Sequence, residues 1–479
     1  MSIVWLKNFL KRNYLFVILA ALAFIIHFAF LACPNQTIFD EVYFGKFAAA
    51  YFSREYYFDI HPPLGKLIIA GWAWLVNVDL VFNYNEIGAA ASSQLFFTLR
   101  FLPALFGALF VLLFSWFAYL ATRSKQIALI AGTLILLDNA FLVQSKIIAI
   151  DIFLVFFEIL TLCFFLLCQK EKGFTKKWLA FLALAGISFG LTISIKWTGL
   201  AAIGIIWVIL LTKIFSQKMS EWLSPKNYAI SKIIKLKEAI AGIFVISAIG
   251  FLIYLIPFYI HFNILNKSGP GDAFMSASFQ SELKNGKENT PNPLGFLEKF
   301  KELNITMYSA SAGLTATHPF SSQWHQWPFD KKPIYYWYQA PTIDNGEKIG
   351  KIYFLGNPII WWLALGAIAL TLIRIVSKKE RQKITPFMYV LILAYFANLL
   401  PFIEVKRVAF LYHYLLPVMF ATLLLSIYLE KLWRKDKKVF AALMILAAIS
   451  FAILAPLSYG WPMTPGLDQF EMKIIELLS

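Results

Sequence analysis

The apolar residues of this chain fall into blocks of about 20. That is the length a helix rising 1.5 Å per residue needs to cross a hydrocarbon layer about 30 Å thick. Hydrophobic residues make up 59% of the 479 positions, against roughly 45–50% in a soluble domain. A soluble core cannot absorb that excess, so lipid is the solvent for most of the chain.

Counting blocks and breakers predicts an all-α integral membrane protein with about eleven spanning helices. They fall at roughly 14–33, 101–121, 126–143, 147–168, 178–194, 197–213, 239–261, 355–375, 384–403, 408–430 and 438–457. The block at 14–33 is longer than a signal-peptide core and is read as a retained first helix. The stretch Leu64 to Val78 is too short to span and is read as an interfacial or re-entrant helix. The net charge of +16 would suggest nucleic acid if it formed one basic face. Instead the cations sit in short connections, including Lys7, Lys11, Arg12, Arg123, Lys170 and Arg374, a topology signal rather than a ligand signal. The positive-inside rule then puts the N-terminus in the cytoplasm. It leaves two long outer loops, 34–95 and 262–354, between an N-terminal transmembrane catalytic domain (1–261) and a C-terminal four-helix transmembrane domain (355–479). Cys33, Cys163 and Cys168 have neither disulfide nor metal spacing, and no Gly-rich phosphate loop is present.

The first outer loop concentrates the chemistry. Phe44, Phe47, Ala48, Tyr51 and Phe52 recur at helical spacing, which predicts a surface helix over about 41–55 with Asp40 and Glu41 at the lipid–water boundary. Two readings of that pair stand side by side. Asp40 and Glu41 start the helix as N-cap and first-turn acid, or they do chemistry on a headgroup at that depth. Likewise His61-Pro62-Pro63 reads as a rigid turn, and Lys66 as a snorkelling cation, unless both serve a substrate.

The run Phe39-Asp40-Glu41-Val42-Tyr43-Phe44-Gly45, followed by Phe58-Asp59-Ile60-His61-Pro62-Pro63-Leu64-Gly65-Lys66, resembles the first luminal loop of the protein O-mannosyltransferases. Further similar stretches follow in order: Leu99-Arg100-Phe101-Leu102-Pro103-Ala104, Asp138-Asn139, Gln144-Ser145-Lys146, Asp151, Lys196-Trp197-Thr198-Gly199, His318-Pro319-Phe320-Ser321-Ser322, Trp324, Gly356-Asn357-Pro358 and Phe410 to Pro417. The resemblance implies a GT-C glycosyltransferase fold and a polyprenyl- or dolichyl-phosphate-mannose donor. It also implies a protein Ser/Thr acceptor, a catalytic acidic pair and inversion at the sugar. Residues 262–354 are too few for the β-trefoil module of the eukaryotic members, so the chain resembles a compact prokaryotic form.

Such a reaction needs a base for the acceptor hydroxyl and positive charge for the leaving phosphate. Asp40 is the candidate base, with Glu41 orienting it or the acceptor. Arg100, Lys196, Arg407 and His413 are candidates for the phosphate. His61, Lys66, His318 and Trp324 belong to loops that would meet substrate, with Trp as interfacial anchor the plainer reading of Trp324. Asp138, Lys146 and Asp151 are read as orienting groups, Asp138 and Asp151 pairing with Lys146 or Arg100. Glu158, seven residues beyond Asp151, lies on roughly the same helical face but deeper in the bilayer, without an evident partner. No obligatory metal is expected. Expected partners are the lipid-linked sugar, a secreted or translocating protein and the export machinery, with the active site on the outer face of a plasma membrane. Two competitors remain, a lipid-linked-sugar transferase acting on a lipid or glycan and a secondary transporter, whose charges usually sit near mid-membrane.

Overall fold

The structure is a computed structural model. It describes every residue except 1, 2, 79, 81, 83, 226–228, 230, 314–316 and 342–346, and the side chains of residues 3–12, including Lys7, Lys11 and Arg12, also lie outside the described residues. The first half holds helices α1 (Ile3–Phe28), α2 (Glu41–Ser53), α3 (Leu64–Leu75), α4 (Ser93–Thr122), α5 (Lys125–Leu136), α6 (Asn139–Ser145), α7 (Asp151–Lys170), α8 (Lys176–Ile193), α9 (Leu200–Phe215), α10 (Gln217–Leu223) and α11 (Lys232–Ile264). The second half holds α12 (Ala277–Asn285), α13 (Phe296–Gly313), strands β1 (Ile334–Gln339) and β2 (Gly350–Phe354), then α14 (Pro358–Val376), α15 (Pro386–Leu399), α16 (Leu415–Lys435), α17 (Lys437–Tyr459) and α18 (Pro465–Leu478).

Among the described residues nine helices are long and apolar enough to cross a membrane, and ten if the bent pair α5–α6 is one span. With the shorter apolar part of α1, Asn13–Phe28, this matches the expected count of about eleven to within its precision. Loop-to-helix boundaries are set by small polar caps: Ser92, Ser124, Thr175, Ser231, Asn357 and Thr385 each accept a hydrogen bond from a first-turn N–H.

Three elements differ from the sequence reading. The apolar stretch 126–143 is not one straight helix. It bends by 63° between α5 and α6, because the Asp138 carboxylate caps α6 through Ala140 N (2.9 Å) and also takes the Trp361 indole N–H (2.6 Å). The second long loop is not purely helical: β1 and β2 pair antiparallel, with an irregularity between Tyr335 and Trp337. The last helix, α18, returns to this hairpin, where Lys351 meets Asp468 at 2.5 Å.

The two long loops converge over one end of the bundle. Phe39 N donates to Tyr336 O (3.2 Å), Ser322 N to Ala409 O (2.9 Å) and Leu64 N to Ser194 O (3.1 Å). These bonds bring residues 34–66, 318–340, the α8–α9 break and the segment before α16 to one place. Gly65 makes the approach possible, since a Cβ there would lie 2.6 Å from Ile150 Cγ2 at the start of α7.

Candidate active site

The acidic pair divides into two different jobs. Glu41 is fully buried and grips Arg100, also fully buried, with both oxygens: Nε to Oε1 at 2.7 Å and a terminal nitrogen to Oε2 at 2.8 Å. Glu41 also accepts from Ile38 N and Ile148 N, each at 2.9 Å. The remaining Arg100 donors go to the carbonyls of Pro34 (2.7 Å), Gln36 (2.8 Å) and Leu31 (3.4 Å). Every direction of this fork is taken, which leaves Arg100 no donor for the phosphate expected there, while both Glu41 oxygens are engaged within the protein beside Asp40.

Asp40, one residue earlier, is the opposite case. Its backbone precedes α2, but its side chain makes no capping hydrogen bond, which removes the plain N-cap reading. The residue is half-buried. Burial pushes its carboxyl up to about 7. Lys196 pulls it down, and the Asp151 and Asp59 carboxylates push it further up. A carboxylate with free lone pairs and this basicity is suited to accept a proton near neutral pH.

Lys196 acts on it directly, and Arg407, His61 and His413 gather around Lys196. Lys196 at the α8–α9 break is held by Asp151 at 2.6 Å and lies 5.2 Å over the Tyr412 ring. Gly199 keeps that break tight, since a Cβ there would meet Thr192 at 2.4 Å. Gln144 donates to the other Asp151 oxygen (3.0 Å) and accepts from Tyr336 OH (2.9 Å). Arg407 makes no ion pair among the described residues and lies within electrostatic range of Asp59, Tyr412 and His61. His61 is surrounded by Lys196, Lys66, Arg407 and His413. Burial, with these neighbours, holds its imidazole well below the usual histidine range. His413 stacks on Trp327 (5.8 Å between centroids), and its Nδ1 is engaged by the Phe410 backbone, which turns Nε2 the other way. Beside Arg407 a cavity of about 810 Å³ is lined by Ser322, Trp324, Trp327, Lys332 and Lys406. A larger groove of about 1130 Å³ runs along the far half of α2 and includes none of these groups.

The other predicted residues separate clearly. Lys66 pairs with Asp59 (2.5 Å) and donates to His61 O (2.6 Å), stiffening the His61 turn rather than snorkelling. His318 packs edge-on against Phe39 and Phe410 and accepts from Phe320 N, so it buttresses the loop beside Asp40. Asp138 is tied to Ala140 and Trp361, and Lys146 donates to Ala29 O and lies 4.8 Å over the Tyr459 ring. Neither meets Arg100, and Asp151 pairs with Lys196 instead of Lys146, which corrects the expected orienting pairs. Glu158 does have a partner, Asn398 at 3.4 Å. Sequence reasoning missed Asp59, Gln144, Tyr336 and Tyr412 as site groups. Asp59, Gln144 and Tyr412 stand within the quoted motifs, but nothing linear marks Tyr336. Among the described residues no group of three or more His, Cys, Asp or Glu is arranged to hold a metal ion.

Comparison with known proteins places this arrangement. A family model described as dolichyl-phosphate-mannose-protein mannosyltransferase matches residues 17–266, and one described as the C-terminal four-transmembrane region of protein-O-mannosyltransferase matches 296–476. Dolichyl-phosphate-mannose–protein mannosyltransferase 4 of Saccharomyces cerevisiae is 35% identical over 57% of this chain and 36% of its own length. Protein O-mannosyl-transferase 1 of Rattus norvegicus is 32% identical over 53% of this chain and 34% of its own length. The matches thus span about a third of these relatives. The S. cerevisiae Pmt1-Pmt2 complex bound to the sugar donor superposes with a TM-score of 0.86 at 20% identity, covering 96% of this chain and 92% of that one. An Archaeoglobus fulgidus oligosaccharyltransferase with an inhibitory peptide and a dolichol-phosphate superposes at 0.55 and 16% identity, over 98% of this chain and 60% of that one. These likenesses establish the GT-C fold, and with a family model covering more than half its length the chain belongs to the dolichyl-phosphate-mannose-protein mannosyltransferase family.

Proposed function

We propose that this chain transfers mannose from a polyprenyl or dolichyl phosphate to Ser or Thr hydroxyls of a protein, with inversion at the anomeric carbon. The single observation that carries the reading is the Asp40 carboxylate. It has no hydrogen-bond donor among the described residues and lies within electrostatic range of Lys196 without pairing with it. The acceptor hydroxyl attacks the anomeric carbon while Asp40 takes its proton. The bond from that carbon to the phosphate oxygen breaks on the opposite face, and polyprenyl phosphate leaves with the extra charge. Arg407 and Lys196 stabilise that charge in a low-dielectric site, where fixed cations act strongly. His61 and His413 supply hydrogen bonds to phosphate oxygens. No step runs through a metal.

Residues 1–261 then carry the catalytic half, 262–354 the covering loop and 355–479 the supporting bundle. The reading places the site on the outer face of a plasma membrane, with the N-terminus cytoplasmic and a translocating polypeptide as acceptor. Membranes containing the protein, given radiolabelled polyprenyl-phosphate mannose and a Thr-containing peptide, are expected to label the peptide, and Asp40→Asn to abolish labelling while the protein stays inserted. Full labelling by Asp40→Asn would remove the proposed base. Label recovered only in lipid would move the acceptor to a lipid or glycan.

A further inference from the structure

Lys196 sits in a turn whose position is fixed from outside the site. Its neighbour Trp197 donates its indole N–H to Tyr254 OH on α11 (2.8 Å), and Tyr254 OH donates onward to Asn304 Oδ1 on α13 (2.6 Å). Asn304 in turn donates from Nδ2 to Phe300 O at 2.8 Å. The Phe300 ring packs on Tyr254 and Phe258 at 5.8 and 5.0 Å, so α13 is seated against α11 by stacking as well as by the chain. From α13 the polypeptide continues to His318, which packs beside Phe39 next to Asp40. One helix of the second loop is therefore tied by hydrogen bonds to the Lys196 turn.

We propose that Tyr254 and Asn304 are positioning residues for the lipid-linked donor, acting through Trp197 to hold Lys196 where the donor phosphate arrives. The inference rests on the transferase reading of the site. The chemistry is economical. Lys196 follows a helix end and precedes a single turn of 3-10 helix, Trp197–Gly199, and among the described residues its backbone is held only by local bonds, from its N–H to Thr192 O at 3.4 Å and from Gly199 N to its carbonyl at 3.1 Å. Asp151 fixes the ammonium from one side. The Trp197 anchor fixes the backbone from the other, and a hydrogen-bond chain of this kind transmits the seating of α13 directly.

The test uses the full-length protein and two readouts: direct binding of radiolabelled polyprenyl-phosphate mannose, and peptide transfer kinetics. Tyr254→Phe removes both hydrogen bonds and keeps the ring stack, and Asn304→Leu removes the acceptor. Each is expected to raise the donor Kd and KM about 5- to 10-fold, the range of one or two net hydrogen bonds, with kcat and acceptor KM within about twofold. Asn304→Asp, which keeps the accepting oxygen, is expected to restore donor binding. Donor binding by Tyr254→Phe equal to wild type overturns the inference. So does a loss confined to kcat and thermal stability, which is what a purely structural role produces. Wild-type protein that binds no donor at all instead overturns the proposed function, so the two failures are distinguishable.

Discussion

Glu41 and Arg100, 59 positions apart in sequence, close a two-pronged ion pair that is completely shielded from solvent. Because the pair also captures two backbone N–H groups and three carbonyls, it fixes the segment from Leu31 to Asp40 against α4 and the start of α7. The Asp40 carbonyl accepts from Tyr43 N and Phe44 N, each at 2.9 Å, while its side chain is held by no capping bond and takes its place from the clamp beside it.

Cutting that pair is therefore expected to unfold before it inactivates. Glu41→Gln or Arg100→Ala leaves a buried charge without its partner, which costs about 3–5 kcal/mol. Thermal unfolding in detergent is the measurement, with large losses of midpoint and yield expected in both variants. An Arg100→Ala protein of wild-type stability whose only defect is donor KM would return Arg100 to the phosphate site.

The Asp40 carboxyl gives the pH dependence a definite sign. Its pKa in the folded protein is shifted from 3.8 up to about 7, and in the proposed mechanism the base form is the active one. Transfer at saturating substrate is expected to rise through pH 6 to 8 and level off above. The stability effect runs the other way. A carboxyl with a raised pKa favours the folded state in its protonated form, so its contribution falls as pH rises from about 4 to about 7. Asp40→Asn should flatten that slope in a pH series of melting temperatures, and an unchanged slope would assign it to another group.

Arg407 and Lys196 should fail differently. Lys196 is already paired with Asp151, whereas Arg407 has no ion pair among the described residues. Arg407→Ala is expected to weaken donor affinity at least 10-fold with little change in melting temperature. Arg407→Lys should rescue only partly, because an ammonium loses the planar fork that meets two phosphate oxygens. Full rescue by Lys would reduce Arg407 to a point charge, and no change on Ala substitution would take it out of the site.

Much of this architecture was legible in one dimension, and the failures have physical causes. Apolar blocks mark spans because lipid demands a fixed length, and Phe44, Ala48 and Tyr51 mark α2 because they share its buried face. The bend at Asp138 was available in principle, as an Asp preceding a helix start, but the apolar residues around it mask the break. The hairpin escaped because β1 does not alternate: Tyr336 and Trp337 are adjacent and both buried, a consequence of the irregularity in its pairing. Spacing could mark Asp40 and Glu41 as a pair but not tell them apart. Which oxygen meets Arg100 depends on a residue in another helix, and no periodicity reports that.

The pair Glu158 and Asn398 tests whether every buried carboxyl near the site is chemical. Glu158 is fully buried in α7, two turns below Asp151. Its Oε1 meets Asn398 Nδ2 at 3.4 Å, while Oε2 and Asn398 Oδ1 have no partner among the described residues. An ionised carboxylate there would be costly, and a glutamine of the same shape brings an N–H₂ that the orphan Asn398 oxygen can accept. Glu158→Gln is therefore expected to raise stability by about 1 kcal/mol, or leave it unchanged, and to keep transfer within about twofold. Glu158→Ala, which opens a cavity between α7 and α15, should lower the melting temperature by several degrees. A Glu158→Gln protein that melts like wild type yet transfers no sugar would show that this carboxyl moves a proton, and Asp40 would no longer be the sole base required.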